Sequence, residues 1–217
     1  MPAPAPFRPT RKKPAAPAAR AAHEVRIIGG LWKRTKLPVA DKPGLRPTPD
    51  HVRETLFNWL GQDLTAWRCV DAFAGSGALG LEAASRGASE VLLVDQDPQL
   101  VAQLRSLQAK LQATAVKVER ANGLSVLQRL AAGSIDLVFL DPPFDANLLG
   151  KALAAAAPAL AAQGWVYLEA PTAWSDEQLG PYGLTVHRHL KAGAVHAHLL
   201  RRTGVLGSDN LPKQPAS

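Results

Sequence analysis

The chain has 217 residues, a formal net charge of +7 and a single cysteine, Cys69, with 47% of its residues hydrophobic. That length suits one compact domain with a modest appendage, and one cysteine excludes a disulfide framework. No apolar run approaches the roughly 18–20 residues that span a bilayer, and the basic N-terminus lacks the apolar core of a secretory signal, so a soluble, cytoplasmic protein is expected.

Residues 1–22 hold five basic residues, no acid, six prolines and eight alanines. Such a segment cannot bury enough surface to offset its ordering entropy, and residues 1–24 are expected to be a disordered arm, with 204–217 a flexible tail. Residues 26–53 carry seven basic residues against Asp41 and Asp50, interleaved with Trp32 and apolar positions. The rest of the chain is close to neutral. A basic front on a near-neutral body is what phosphate neutralisation on a polyanion requires; for the arm alone a solubilising role fits as well.

Residues 25–28 and 36–39 read as short strands. A helix follows from Asp50, a good N-cap, to Leu60, with Val52, Leu56, Phe57 and Leu60 on one face and Gly61 as its stop. These elements form an N-terminal segment, residues 25–61. From 62 to 203 strands and helices alternate: strands at 68–71, 91–95, 115–119, 135–140 and 165–169, helices at 78–86, 98–111, 123–131 and 148–160. The strands are apolar throughout, which predicts a doubly wound α/β fold whose mostly parallel sheet is covered on both faces. Residues 184–192 and 194–202 alternate polar and apolar across Gly193 and predict a terminal antiparallel hairpin, making seven strands. That combination resembles the class I S-adenosylmethionine-dependent methyltransferases, a Rossmann-like fold.

Between the first strand and helix of this alternation, Gly75, Gly77 and Gly80 form G-x-G-x-x-G, with Asp95 twenty residues after Gly75. The same layout marks dinucleotide sites. Asp71, at the strand's carboxyl end, separates the two readings. A dinucleotide places its pyrophosphate over this turn, where a carboxylate repels it; S-adenosylmethionine offers a cationic amino group and a sulfonium, which a carboxylate favours. Asp95 suits the hydroxyls of a ribose in either case. Asn122 is either a purine contact or an ordinary turn asparagine. Phe73, Ser76, Gln96 and Gly123 flank these positions and complete the candidate cofactor set. The glycines could also serve helix–strand packing alone.

The fourth strand of the alternation should lie beside the first, and it runs directly into Asp141, Pro142, Pro143 and Phe144. Two prolines stiffen the turn and remove N–H donors, so it presents only carbonyls and a carboxylate. Acceptors alone suit a substrate amino group: Asp141 and a proline carbonyl would hold its hydrogens and Phe144 would stack on the ring. Adenine N6, cytosine N4, guanine N2 and a glutamine amide all fit this tetrad.

Taken with the segments 26–30 (RIIGG), 44–48 (GLRPT) and 52–60 (VRETLFNWL), residues 25–203 closely resemble the bacterial 16S ribosomal RNA guanine-966 N2-methyltransferase family. The resemblance implies S-adenosylmethionine as cofactor and methylation of one guanine N2 in small-subunit 16S RNA, presented by the small ribosomal subunit or its late precursor. Nothing in the sequence suggests an extended exposed apolar seam, so a monomer is expected. It also implies that Arg26, Lys33, Arg34 and Lys36 face RNA and that Arg46 and Thr48 help close the cofactor site. Arg53 and Glu54 are either part of that wall or an exposed helical charge pair. Rival readings are a DNA adenine-N6 methyltransferase, for which the chain leaves no room for a target-recognition insertion, a catalytically inactive RNA-binding relative, and an NAD-dependent oxidoreductase. His187, His189, His196 and His198 alternate on the terminal hairpin and read as surface-facing strand residues rather than metal ligands.

Overall fold

A computed structural model describes residues 24–42, 47–143 and 146–204. The expected arm and tail, apart from Glu24 and Gly204, lie outside the described residues, as do Arg46 and Phe144. Two short strands, β1 (Glu24–Arg26) and β2 (Lys36–Pro38), pair antiparallel as a sheet of their own. Helix α1 (Asp50–Leu60) follows, then β3 (Arg68–Asp71), α2 (Ala78–Ser85), β4 (Glu90–Asp95), α3 (Pro98–Lys110), β5 (Val116–Arg120), α4 (Gly123–Arg129), β6 (Ile135–Leu140), α5 (Ala146–Ala159) and β7 (Leu160–Ala170). A one-turn helix α6 (Asp176–Leu179) and a 3-10 turn (Gly180–Tyr182) lead into the hairpin of β8 (Leu184–Ala192) and β9 (Val195–Arg202).

The main sheet has the order β5-β4-β3-β6-β7-β9-β8. All pairings from β5 to β7 are parallel, and β9 runs antiparallel to both β7 and β8. This is the seven-stranded arrangement expected from the sequence. Its strands are apolar on both faces because both faces are covered. Leu137, Phe139 and Tyr167 join α1 and α2 in one cluster, while Val138, Leu140 and Leu168 join α5 in another. Phe139 lies between Phe57 and Tyr167, at ring distances of 6.5 and 6.2 Å. No described helix is long and apolar enough to cross a membrane.

The differences from expectation are local. The N-cap of α1 is Pro49, and Asp50 is instead its first residue, with its carboxylate on Arg53 and Arg26. Strand β7 begins at Leu160, five residues early, because the register shifts between the pairs Ile135–Leu160 and Leu137–Trp165; the chain folds back closely enough there that a Cβ on Gly164 would lie 2.9 Å from the Ile135 carbonyl. Helix α6 is too short to show a period; a capping box between Ser175 and Gln178 starts it.

The N-terminal segment is fastened to the sheet through Glu82 of α2, which is fully buried. Its carboxylate accepts the Ile28 and Gly29 N–H groups at 2.7 Å, Arg53 Nη1 at 3.2 Å and Arg86 Nε at 2.9 Å. Arg53, also fully buried, donates further to the Thr48 and Arg26 carbonyls and to Asp50. Arg53 is therefore neither an exposed partner of Glu54 nor part of the cofactor wall. It is a clamp joining the 26–50 segment to α2.

Candidate active site

A cavity of about 700 Å³ opens at the carboxyl ends of β3, β4, β6 and β7. In open α/β sheets ligands bind where neighbouring connections diverge to opposite faces, and here the divergence lies between β3 and β6. Their parallel register, Asp71 against Phe139, sets Asp71 and Asp141 at one crevice, as expected.

The glycine turn forms the cavity's first wall. Gly75 and Gly77 have φ of +53° and +80°, conformations that side-chain-bearing residues rarely adopt. Gly75 and Ser76 line the cavity, as do Asp71 and Phe73. Gly77 does not: it caps α2 against Leu104, so its requirement is backbone conformation and packing rather than contact with a ligand. Gly80 also packs, since a Cβ there would meet Leu93 at 2.2 Å. The glycines thus divide between lining and packing.

Asp71 is 1% exposed. Its Oδ2 accepts the Gly80 N–H at 3.1 Å, while among the described residues Oδ1 has no hydrogen-bond partner. Burial pushes its pKa up to about 7, against the pull of the Gly80 amide and with the charges of Asp95 and Glu169 adding to the rise. Asp95 accepts the Gly75 N–H on Oδ2 (3.0 Å) and the Asp97 N–H on Oδ1 (2.8 Å), so both oxygens are oriented and each keeps a free lone pair. Gln96 lies beside it on the cavity wall. Asn122 and Gly123 line the far side. Asn122 Oδ1 caps α4, accepting the Ser125 N–H at 3.2 Å, which leaves its NH₂ and one lone pair of Oδ1 for a ligand. Gly123 has no room for a side chain, since a Cβ would lie 2.0 Å from the Ala72 carbonyl.

Asp141, Pro142 and Pro143 occupy the other end, with Thr48 and the hairpin residues Ala192, Gly193, Ala194 and Val195. Burial raises the Asp141 pKa well above the usual carboxylate range, and the charges of Glu169 and Asp71 raise it further. Thr48 is buried and donates its hydroxyl to Glu169 at 2.5 Å. Arg26, Lys33, Arg34 and Lys36 are exposed on the β1–β2 hairpin, away from the cavity lining. Arg26 pairs with Asp50 and Lys36 with Glu24, each at 2.8 Å.

Three features were not anticipated. Glu169, at the end of β7, is buried and lines the cavity. An ion pair between Lys42 and Asp97 flanks the cavity rim beside Asp95 and holds the Asp97 pKa below its ordinary value. His198 is fully buried rather than surface-facing; its Nε2 accepts the Trp174 N–H at 3.1 Å. The isolated basic and acidic positions 42 and 97 carried no signal in sequence. Glu169 carried one: an acid ending an apolar strand, as Asp71 and Asp95 do.

The family model described as Conserved hypothetical protein 95 matches residues 25–201. The chain belongs to that family. It is 40% identical over 196 residues to the ribosomal RNA small subunit methyltransferase D of Escherichia coli (strain K12), covering 86% of this chain and 94% of that protein. A solved Escherichia coli structure, also 40% identical, covers 83% of this chain and 98% of its own with a TM-score of 0.72. A precorrin-6y C5,15-methyltransferase of Geobacter metallireducens, 20% identical, shares the fold alone, with a TM-score of 0.60, 76% of this chain and 93% of its own being covered. The family resemblance read from the sequence is borne out, and the fold is that of the class I methyltransferases.

Proposed function

We propose that the protein methylates ribosomal RNA of the small subunit, transferring a methyl group from S-adenosylmethionine to the exocyclic N2 of one guanine, the guanine-966 position. The name of the Escherichia coli relative supports small-subunit RNA as the target. The observation that carries the chemistry is the acceptor-only turn Asp141-Pro142-Pro143 facing the same cavity as the buried, half-unpartnered carboxylate of Asp71.

The residues present fit the donor. The cavity volume suits a ligand of that size. Among the described residues Asp71 Oδ1 lacks a partner, which a cationic amino or sulfonium group would supply, directly or through water. Asp95 takes the ribose hydroxyls and the Asn122 NH₂ meets the purine. When bound, S-adenosylmethionine supplies a methyl group whose bond to a cationic sulfur breaks as the bond to nitrogen forms.

The base leaves its stack to reach the crevice. Asp141 and the Pro142 carbonyl accept the two N2 hydrogens, which aims the nitrogen lone pair along the displacement axis; this positioning is the main contribution. The methylated nitrogen then sheds a proton, and the raised basicity of Asp141 makes its carboxylate the acceptor. Phe144 is the candidate stacking partner. Arg26, Lys33, Arg34 and Lys36 contact RNA backbone; the exposed pairs of Arg26 and Lys36 are weak enough to exchange for phosphate.

Tritiated methyl transfer onto unmodified small subunits, followed by nucleoside identification, tests the reading. Radioactive N2-methylguanosine is expected. Asp141→Ala should lower transfer by roughly 10²-fold or more while leaving S-adenosylmethionine affinity within about threefold. Another methylated nucleoside, or no transfer, overturns the assignment.

A further inference from the structure

The last pair in the ladder of β6 and β7 is Leu140 with Leu168. One residue further on, Asp141 and Glu169 follow on adjacent parallel strands, whose spacing is about 4.8 Å. Both line the cavity. Glu169 is 4% exposed, and its Oε1 accepts two hydroxyls, Thr48 at 2.5 Å and Tyr167 at 2.8 Å. Neither bond engages Oε2. Two donors on one oxygen fix the rotation of the carboxylate and commit Oε1, leaving Oε2 as the acceptor for whatever enters.

An amino group has two hydrogens, and Asp141 with the Pro142 carbonyl accepts both. A third acceptor beside them calls for a third donor adjacent to the amine. We propose that Glu169 is a specificity-determining residue that accepts the N1–H of guanine, so that this side of the pocket reads donor-donor and not donor-acceptor. The inference rests on the guanine-N2 reading and deepens it. Guanine presents N1–H beside N2–H₂. Adenine presents a lone pair at N1 beside its N6 amine, and cytosine a lone pair at N3 beside its N4 amine. Either lone pair would face Oε2 and leave a buried acceptor unpaired and repelled. The acceptor-only turn accommodates any of these amines; Glu169 selects among them.

The test keeps the amine and changes its neighbour. Small subunits are reconstituted with 16S RNA carrying either guanosine or 2-aminopurine riboside at the target position. Both bases have the 2-amino group, but N1 of 2-aminopurine is an acceptor. The wild-type protein should prefer guanine by about 100-fold or more in kcat/KM, because a site built to pair with a donor rejects an analogue lacking it. In Glu169→Gln the carboxamide oxygen takes the two hydroxyl bonds, which turns the NH₂ toward the base. Donor then meets donor on guanine and acceptor on 2-aminopurine, so the preference should fall at least tenfold or reverse, about the effect of one mispaired polar group. Glu169→Asp keeps an acceptor and should keep the preference for guanine at a reduced rate. Thermal melting of each variant is measured alongside.

Wild-type transfer to 2-aminopurine within about threefold of guanine overturns the proposal, and so does an equal loss on both bases in a folded Glu169→Gln protein. If that variant does not fold, the wild-type comparison decides alone. A wild-type protein that forms no N2-methylguanosine on the guanosine subunits refutes the underlying function as well. Correct product without discrimination refutes only the role of Glu169.

Discussion

Two groups of acids lie on the side of the sheet covered by α1 and α2, and they are treated in opposite ways. Glu82 receives two guanidinium groups and two backbone N–H groups, so its charge is matched and held. Asp71, Asp141 and Glu169 sit at the ends of neighbouring strands, and among the described residues none of them is in an ion pair. Burial raises all three pKa values, and neighbouring carboxylate charges add to the rise at Asp71 and Asp141. Identical chemistry thus yields a fastener where cations are supplied and a basic, ligand-seeking pocket where they are withheld. Removing a cation should damage the first group, and changing pH should move the second.

The largest effect is expected at the fastener. Arg53→Met leaves Glu82 short of a charge partner and strands the Thr48 and Arg26 carbonyls. Breaking a buried pair costs about 3–5 kcal/mol, and for a chain of this size that lowers the melting temperature by roughly 10 °C. Urea denaturation of the variant checks it. A loss below about 1 kcal/mol would mean that the Ile28 and Gly29 bonds to Glu82, with the packing of Leu56 and Phe57, carry the N-terminal segment without the guanidinium.

These two groups also differ in how far the sequence discloses them. The sheet order follows from strands apolar on both faces alternating with helices, and Asp71 and Asp141 are marked by the glycines and prolines beside them. Glu169 has no such neighbour. Its position depends on the register of β6 against β7, and one of its two hydroxyl donors comes from Thr48, 121 residues earlier in the chain. The charge of Arg53 points to an exposed residue, but its spacing, three and four residues before Leu56 and Phe57, puts it on the buried face of α1. His198 was misjudged by alternation. Strand β9 lies inside the sheet between β7 and β8, so its residues are covered on faces that a terminal hairpin would expose.

At Asp71 the expected effect is intermediate. The cationic donor proposed for this site would favour the carboxylate, and in the free protein that group is half ionised near pH 7. Affinity therefore rises with pH. The ionised fraction grows about fifteenfold between pH 5.5 and 7, and the dissociation constant for S-adenosylmethionine should fall in proportion. Calorimetry in two buffers of different ionisation enthalpy should register proton release on binding at pH 6. Asp71→Asn should bind more weakly and lose both the slope and the proton release; a slope that survives the substitution would assign the effect to another group. For stability the sign is reversed. A folded pKa above the unfolded value stabilises the ligand-free protein in acid, and that contribution is lost as pH rises from about 4 toward 7.

The smallest effect is expected at His198, where burial, with the nearby His189 adding to it, lowers the pKa to about 4. The Trp174 N–H already donates to Nε2, so the ring must stay neutral, with its proton on Nδ1 toward the Leu168 carbonyl. Protonation would set one N–H against another. Between pH 6.5 and about 4 the unfolded chain binds a proton that the folded chain refuses, so this residue weakens the fold as pH falls through that window. The raised carboxylates at the cavity act in the opposite direction, and only a difference between proteins isolates the histidine. His198→Gln keeps an acceptor for the Trp174 N–H and cannot be protonated. Its stability relative to wild type, from urea denaturation at pH 7 and at pH 4.5, should improve at the lower pH; a difference that stays constant would show that His198 is protonated in place, with the Trp174 contact broken at little cost.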